Sequence, residues 1–184
     1  MKNIKFLTLA LIVSTLFIGC SKDDDPQPEP VNEEEVITTL TVTLVPVGGG
    51  AEVILQSRDL DGDGPDDAVI TTGNLTAGVT YDGNIVLLNE TEDPAEDITE
   101  EVEEESDEHQ FFHTSAGGLD VTINNENLDS NDNKLGTEFS LVAGAVSSGT
   151  LTFTLRHEPT KPNTGLEDAG GETDITATFN VAVQ

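Results

Sequence analysis

The stretch LTFTLRHE, residues 151–158, alternates without a break: Leu151, Phe153, Leu155 and His157 share one face, and Thr152, Thr154, Arg156 and Glu158 share the other. Successive strand side chains point to opposite sides, so this pattern predicts a strand with one face buried and one wet. The same reading extends to LTVTLVP at 40–46, where Leu40, Val42 and Leu44 oppose Thr41 and Thr43. It extends also to the last segment, where Ile175, Ala177, Phe179, Val181 and Val183 oppose Thr176, Thr178 and Asn180. Weaker strands are predicted at 51–57, 67–72, 79–89, 119–124 and 138–146, separated by Gly, Asp and Asn turn chemistry such as Gly48-Gly49-Gly50. About eight short strands in roughly 150 residues predict a mainly β fold, an immunoglobulin-like antiparallel β-sandwich.

One segment departs from period two. From Asp93-Pro94 to about Asp107 the residues are good helix formers, with Asp93 placed as N-cap and Pro94 at the favoured first position. A short acidic amphipathic helix over about 93–107 is predicted, with Ile98, Val102 and then Glu105 or Ser106 on its inner stripe. Like charges at Glu96/Glu100 and Glu100/Glu104 weaken it, and an acidic loop is the competing reading.

The chain before the strands divides in two. Lys2 and Lys5 precede an apolar run, Phe6 to Ile18, too short for the roughly 20 residues of a membrane span. Residues 1–19 therefore read as a signal peptide. Phe17-Ile18-Gly19-Cys20 resembles a bacterial lipoprotein signal, departing from it at Phe17, and the resemblance implies removal of 1–19 and lipidation of Cys20. Ser21-Lys22-Asp23-Asp24-Asp25 resembles the surface-export signal of lipoproteins of the Bacteroidota. It implies an outer-membrane, lipid-anchored and surface-exposed protein, with a periplasm-facing one as the alternative. Residues 20–35, rich in Pro and acids, read as a tether, and 36–184 as a single sandwich domain. Cys20 is the only cysteine, so the chain forms no internal disulfide.

A formal charge of −29 repels nucleic acid and attracts cations. The sequence carries no Gly-x-Ser-x-Gly elbow, P-loop or dinucleotide fingerprint, and with one Tyr and no Trp it offers little for sugar stacking. A non-enzymatic role is expected. Two groups of residues point to cations. Continuing the helical stripe from Ile98 and Val102 reaches Glu105 and His109, both aimed toward the sandwich, while His157 falls on the apolar face of its own strand. Imidazole with carboxylate suits Zn2+, provided that Glu105, His109 and His157 converge; a hydrogen-bonded His–carboxylate cluster is the other reading. His113, in QFFHTS, reads as part of a strand beginning and is expected to point elsewhere. The second group is Asp59, Asp61, Asp63 and Asp67, spaced like a Ca2+ loop, although Ile70 stands where such a loop places a bidentate Glu. A plain Asp/Gly turn is the alternative. Asp129 to Gly136 is a fainter echo, read as a turn.

Four stretches, TLVPVGGG (43–50), SRDLDGDGPDD (57–67), the segment from Ile85 to Phe112 and that from Leu155 to Val181, resemble a group of small flavobacterial lipoproteins of undetermined activity. That group often carries the label "type 1 periplasmic binding fold superfamily protein". The label implies a two-domain α/β protein, and this chain lacks the βα alternation of such a fold. Two functions from different classes are expected. One is a membrane-anchored module binding zinc, calcium or both, accessory to an outer-membrane uptake system. The other is a structural or partner-binding surface lipoprotein without metal, pairing through a sheet edge.

Overall fold

A computed structural model describes residues 35–184 except Asp63 and Pro65. The signal segment, Cys20 and most of the tether lie outside the described residues. The chain divides into residues 1–33 and Glu34–Gln184, and the description concerns the second unit.

The period-two segments form strands, and the expected antiparallel sandwich is what they build. In chain order the elements are β1 (Thr39–Pro46), β2 (Val53–Arg58), β3 (Val69–Thr71), β4 (Thr80–Asn89), β5 (Glu96–Asp97), α1 (Ile98–Glu104), β6 (His109–Ala116), β7 (Val121–Asn124), β8 (Glu138–Ala143), β9 (Ser147–His157), α2 (Leu166–Ala169) and β10 (Glu172–Val183). The larger sheet runs β3-β2-β1-β4-β8-β7, with β5 added beside β4; the smaller runs β10-β9-β6. Every pairing between these strands is antiparallel. The apolar faces read from the sequence meet in one core, where Phe139 of the larger sheet lies 5.9 Å from Phe153 of the smaller, ring centre to ring centre. Phe153 also packs edge-on against Phe179. Room for Phe139 comes from Gly83, its register partner on β4: a Cβ there would stand 2.4 Å from the Phe139 ring.

The acidic segment is helical, but over fewer residues than its composition predicts. Residues before Glu96 turn, and Glu96 and Asp97 add a short rung to β4 through Leu88 and Asn89. The N-cap is Asp97, whose carboxylate accepts from the Thr99 amide at 3.0 Å, and not Asp93. The helix then stops at Glu104. Its last turn carries no basic residue, and carboxylates there oppose the helix dipole and one another. Ile98 and Val102 nonetheless enter the core as the stripe predicts. The segment carries the chain from the larger sheet to β6 in the smaller. No helix among the described residues is long and apolar enough to cross a membrane.

Phe153 is fully buried among rings from both sheets, so Phe153→Ala leaves a cavity that neighbours on two rigid sheets cannot fill. The expected cost is about 3–5 kcal/mol, read as a lower urea midpoint with an unchanged denaturant slope.

Candidate metal centre

Strands β6 and β9 pair so that His109 stands directly opposite His157, with Phe111 opposite Leu155 and His113 opposite Phe153. The two imidazoles lie 4.5 Å apart between centroids, tilted by 45°, and both are buried. The convergence that the sequence left open therefore occurs, through strand register. His109 is not on the helix: residues between Glu104 and His109 turn, and the strand that follows aims its ring inward.

Two carboxylates complete the cluster. Glu35, grouped with the tether by composition, turns its side chain inward, placing Oε1 2.9 Å from His109 Nε2 and Oε2 3.5 Å from His157 Nδ1. Asp174 Oδ1 lies 3.9 Å from the same His157 Nδ1. Glu35, His109, His157 and Asp174 each offer a ligand atom, and these four atoms all lie within 4.8 Å of one another. Donors at the corners of a zinc tetrahedron with bonds of 2.0–2.2 Å stand about 3.3–3.6 Å apart. The distances of 2.9, 3.5 and 3.9 Å straddle that range. The cluster is thus a buried nitrogen–oxygen group that could hold a metal.

Asp174 reaches the interior because β10 is irregular. Thr173 pairs with Arg156 and Ile175 with Leu155, so Asp174 is the extra residue of a bulge. Strict alternation from Ile175 would turn Asp174 outward; the bulge re-aims it, and its side chain is only 1% exposed.

The ring of His109 is held from both ends. Its Nδ1 lies 3.2 Å from the Glu105 carbonyl, which assigns the proton to Nδ1 and presents Nε2 to Glu35. A backbone carbonyl gripping the far nitrogen is the usual support of a metal-ligating histidine. Burial alone would press the His109 pKa down; the hydrogen bond and charge of Glu35 overcome it, aided by the Glu105 carbonyl and Asp174, and the net shift is upward. Burial likewise pushes Glu35 up, yet the hydrogen bond from His109, its own amide and the two imidazoles hold it below the usual carboxylate range. Both directions describe an ion pair, and a metal ion entering here displaces the Nε2 proton. Crowding of negative charge is evident nearby: Glu101 is raised by burial and then by the charges of Glu35, Glu105 and Glu96.

Lys161 braces the cluster from behind. Its buried ammonium donates to the carbonyls of Ser106 and His109 and to Asp129 Oδ2 at 3.1 Å, tying the turn after α1 to the start of β6. Asp129 accepts from the amides of Asn131 and Asn133 at 2.8 and 2.9 Å, so the Asp129 loop is a turn, as read.

The remaining predicted residues take other places. Glu105 is exposed, and its link to His109 is its carbonyl rather than its carboxylate. His113 is on β6 as expected, turned into the core between Phe139 and Phe153, with Nδ1 3.4 Å from Glu126. Asp59 and Asp61 cap turn amides, Asp59 Oδ1 accepting from Asp61 N and Asp61 Oδ2 from Asp66 N. Asp67 is exposed, and Asp63 lies outside the described residues. Asp59, Asp61 and Asp67 do not gather into a cation-holding group among the described residues. Glu35 and Asp174 escaped the sequence reading. Glu35 sits in a run of three glutamates with no periodicity, and Asp174 is masked by a bulge whose only trace is a charge in a Thr-rich strand after Gly170-Gly171.

Comparison with known proteins adds no relative: no family model, no curated protein and no solved structure matches the chain.

Removing the Lys161 charge strands the buried Asp129 carboxylate. Lys161→Met is expected to cost about 3–5 kcal/mol at pH 7. Asp129 is pushed up by burial but held below its usual pKa by the Asn133 amide, Lys161 and the Asn131 amide. Its stabilisation is therefore present above the unfolded value of about 3.9 and is lost as pH falls through the folded value. Urea unfolding at pH 7 and pH 3 checks this: the stability gap between wild type and Asp129→Asn narrows in acid.

Proposed function

We propose that this protein is a lipid-anchored outer-membrane lipoprotein whose sandwich binds a divalent transition cation of the zinc type at this cluster. The observation that carries the reading is the buried meeting of His109 and His157 with Glu35 and Asp174, four donors within 4.8 Å. Two imidazoles and two carboxylates suit a borderline cation, and the absence of cysteine from the sandwich segment excludes a thiolate site. Four protein donors fill a tetrahedron, leaving no position for a reacting water. The role is accordingly binding rather than turnover. The acidic surface concentrates cations around the site.

Anchorage rests on Cys20 and the lipoprotein-like signal before it, with surface exposure by way of the acidic cluster after it. Glu35 lies before β1, so an ion held by Glu35 also ties the residues that lead into β1 to the smaller sheet. An accessory role beside an outer-membrane transporter fits a tethered cation binder. Calcium has weaker support, since Asp59 and Asp61 spend carboxylate oxygens on turn amides. The second reading is a metal-free structural or partner-binding lipoprotein, favoured by the Glu35–His109 ion pair, which gives His109 Nε2 and Glu35 Oε1 a partner without an ion.

Thermal unfolding separates the readings. Chelated, refolded protein given zinc at about 100 times Kd gains about 2.7 kcal/mol of stability, seen as a rise in Tm. Glu35→Gln lowers the gain, and His109→Ala with His157→Ala removes it. Wild-type protein whose Tm ignores both zinc and chelator supports the metal-free reading.

A further inference from the structure

His157 has a second edge. Its Nδ1 faces Glu35 and Asp174, whereas Nε2 faces outward toward Glu108, with Oε2 at 4.0 Å. The side chain is 4% exposed, and neither nitrogen has a hydrogen-bond partner. A buried imidazole bears a donor or a lone pair on each nitrogen, and leaving both unmet is costly. The inner nitrogen is accounted for by the cluster described above. The outer one is not, and it points into a separate group: Glu108, His157 and Glu158 offer three ligand atoms within 4.8 Å of one another.

The backbone builds this outer group. The Glu158 amide donates to the Glu108 carbonyl at 2.6 Å, which fixes the two glutamates side by side where β6 begins and β9 ends. Glu158 adopts φ +48°, a left-handed conformation uncommon for a residue with a side chain. Gly171 makes the close approach possible. A Cβ there would stand 2.2 Å from the His157 carbonyl oxygen and 3.0 Å from Glu158, so the loop can cross only where no side chain exists.

We propose that a second divalent cation binds at this outer group, ligated by His157 Nε2, Glu108 and Glu158, so that the His157 ring lies between two ions. The inference rests on the cation reading of the inner cluster and adds to it a site with different carboxylates. Both outer glutamates are exposed, so water supplies the remaining ligands, and the outer ion is held more weakly than the inner one. Coordination at both nitrogens requires the ring to lose its remaining N–H proton. That proton passes to buffer as the second ion binds, leaving an imidazolate shared by the two.

Zinc titration calorimetry on the mature chain, with Cys20 replaced by Ser to avoid the lipid, tests the proposal. Wild type is expected to bind two zinc ions with unequal affinity, the weaker step releasing a proton detected by repeating the titration in buffers of different ionisation enthalpy. Glu108→Gln with Glu158→Gln, both at exposed positions, is expected to keep the tight step and lose the weaker one at least tenfold. Glu100→Gln with Glu104→Gln, exposed acids on α1 outside both groups, controls for diffuse attraction and is expected to keep both steps. A single tight step in wild type, or a weaker step that survives in Glu108→Gln/Glu158→Gln, overturns the second site and leaves the inner one standing. No zinc binding at all overturns both.

Discussion

The register between β6 and β9 is the constraint on which the buried cluster depends. Side-chain direction in a strand repeats every two residues, so a slip of one residue would turn either histidine to the opposite face. The register is pinned by what lies inward of the histidines: Phe111 opposite Leu155, and His113 opposite Phe153, whose ring is locked among Phe139 and Phe179. Core packing thus sets the position of the chemistry. The histidines occupy the end rung, where β6 begins and β9 ends, of the same two strands whose other inward rungs form the apolar centre.

Polar groups at that rung are brought in by departures from regular structure. Glu35 precedes β1 and lies outside every strand and helix. Asp174 is turned inward by a bulge, and the Lys161 ammonium crosses from the loop after β9 to hold the turn that delivers His109. Each of these costs desolvation, which is offset only because the charges have partners: Glu35 beside His109, Asp174 beside His157, and Lys161 beside Asp129. Several acidic charges still crowd the neighbourhood, as the raised Glu101 shows. A divalent cation is the species that would relieve such crowding.

Much of this was legible beforehand. The alternation in 40–46, 151–158 and 175–183 identified three long strands and their buried faces, and the inward phase of His157 came with it. The spacing of Ile98 and Val102 likewise predicts the face that packs on the core. Less legible was the helix, because Asp93-Pro94 carries an N-terminal signal that Asp97 also carries, and the turn and β5 rung between them leave no trace in composition. His109 was predicted to face inward for a reason that does not hold. A helical stripe happened to give the direction that a strand later imposed.

By itself the sequence determined the fold class, the acidic surface and the inward placement of His157, because each depends on residue type and local period alone. Tertiary structure decided which groups meet His157. The pairing of His109 with it joins residues 48 positions apart, Glu35 arrives from a segment without period, and Asp174 is aimed by a bulge that pairing creates. A donor set assembled from four distant segments has no spacing to read, since its geometry exists only once two sheets have closed over one core.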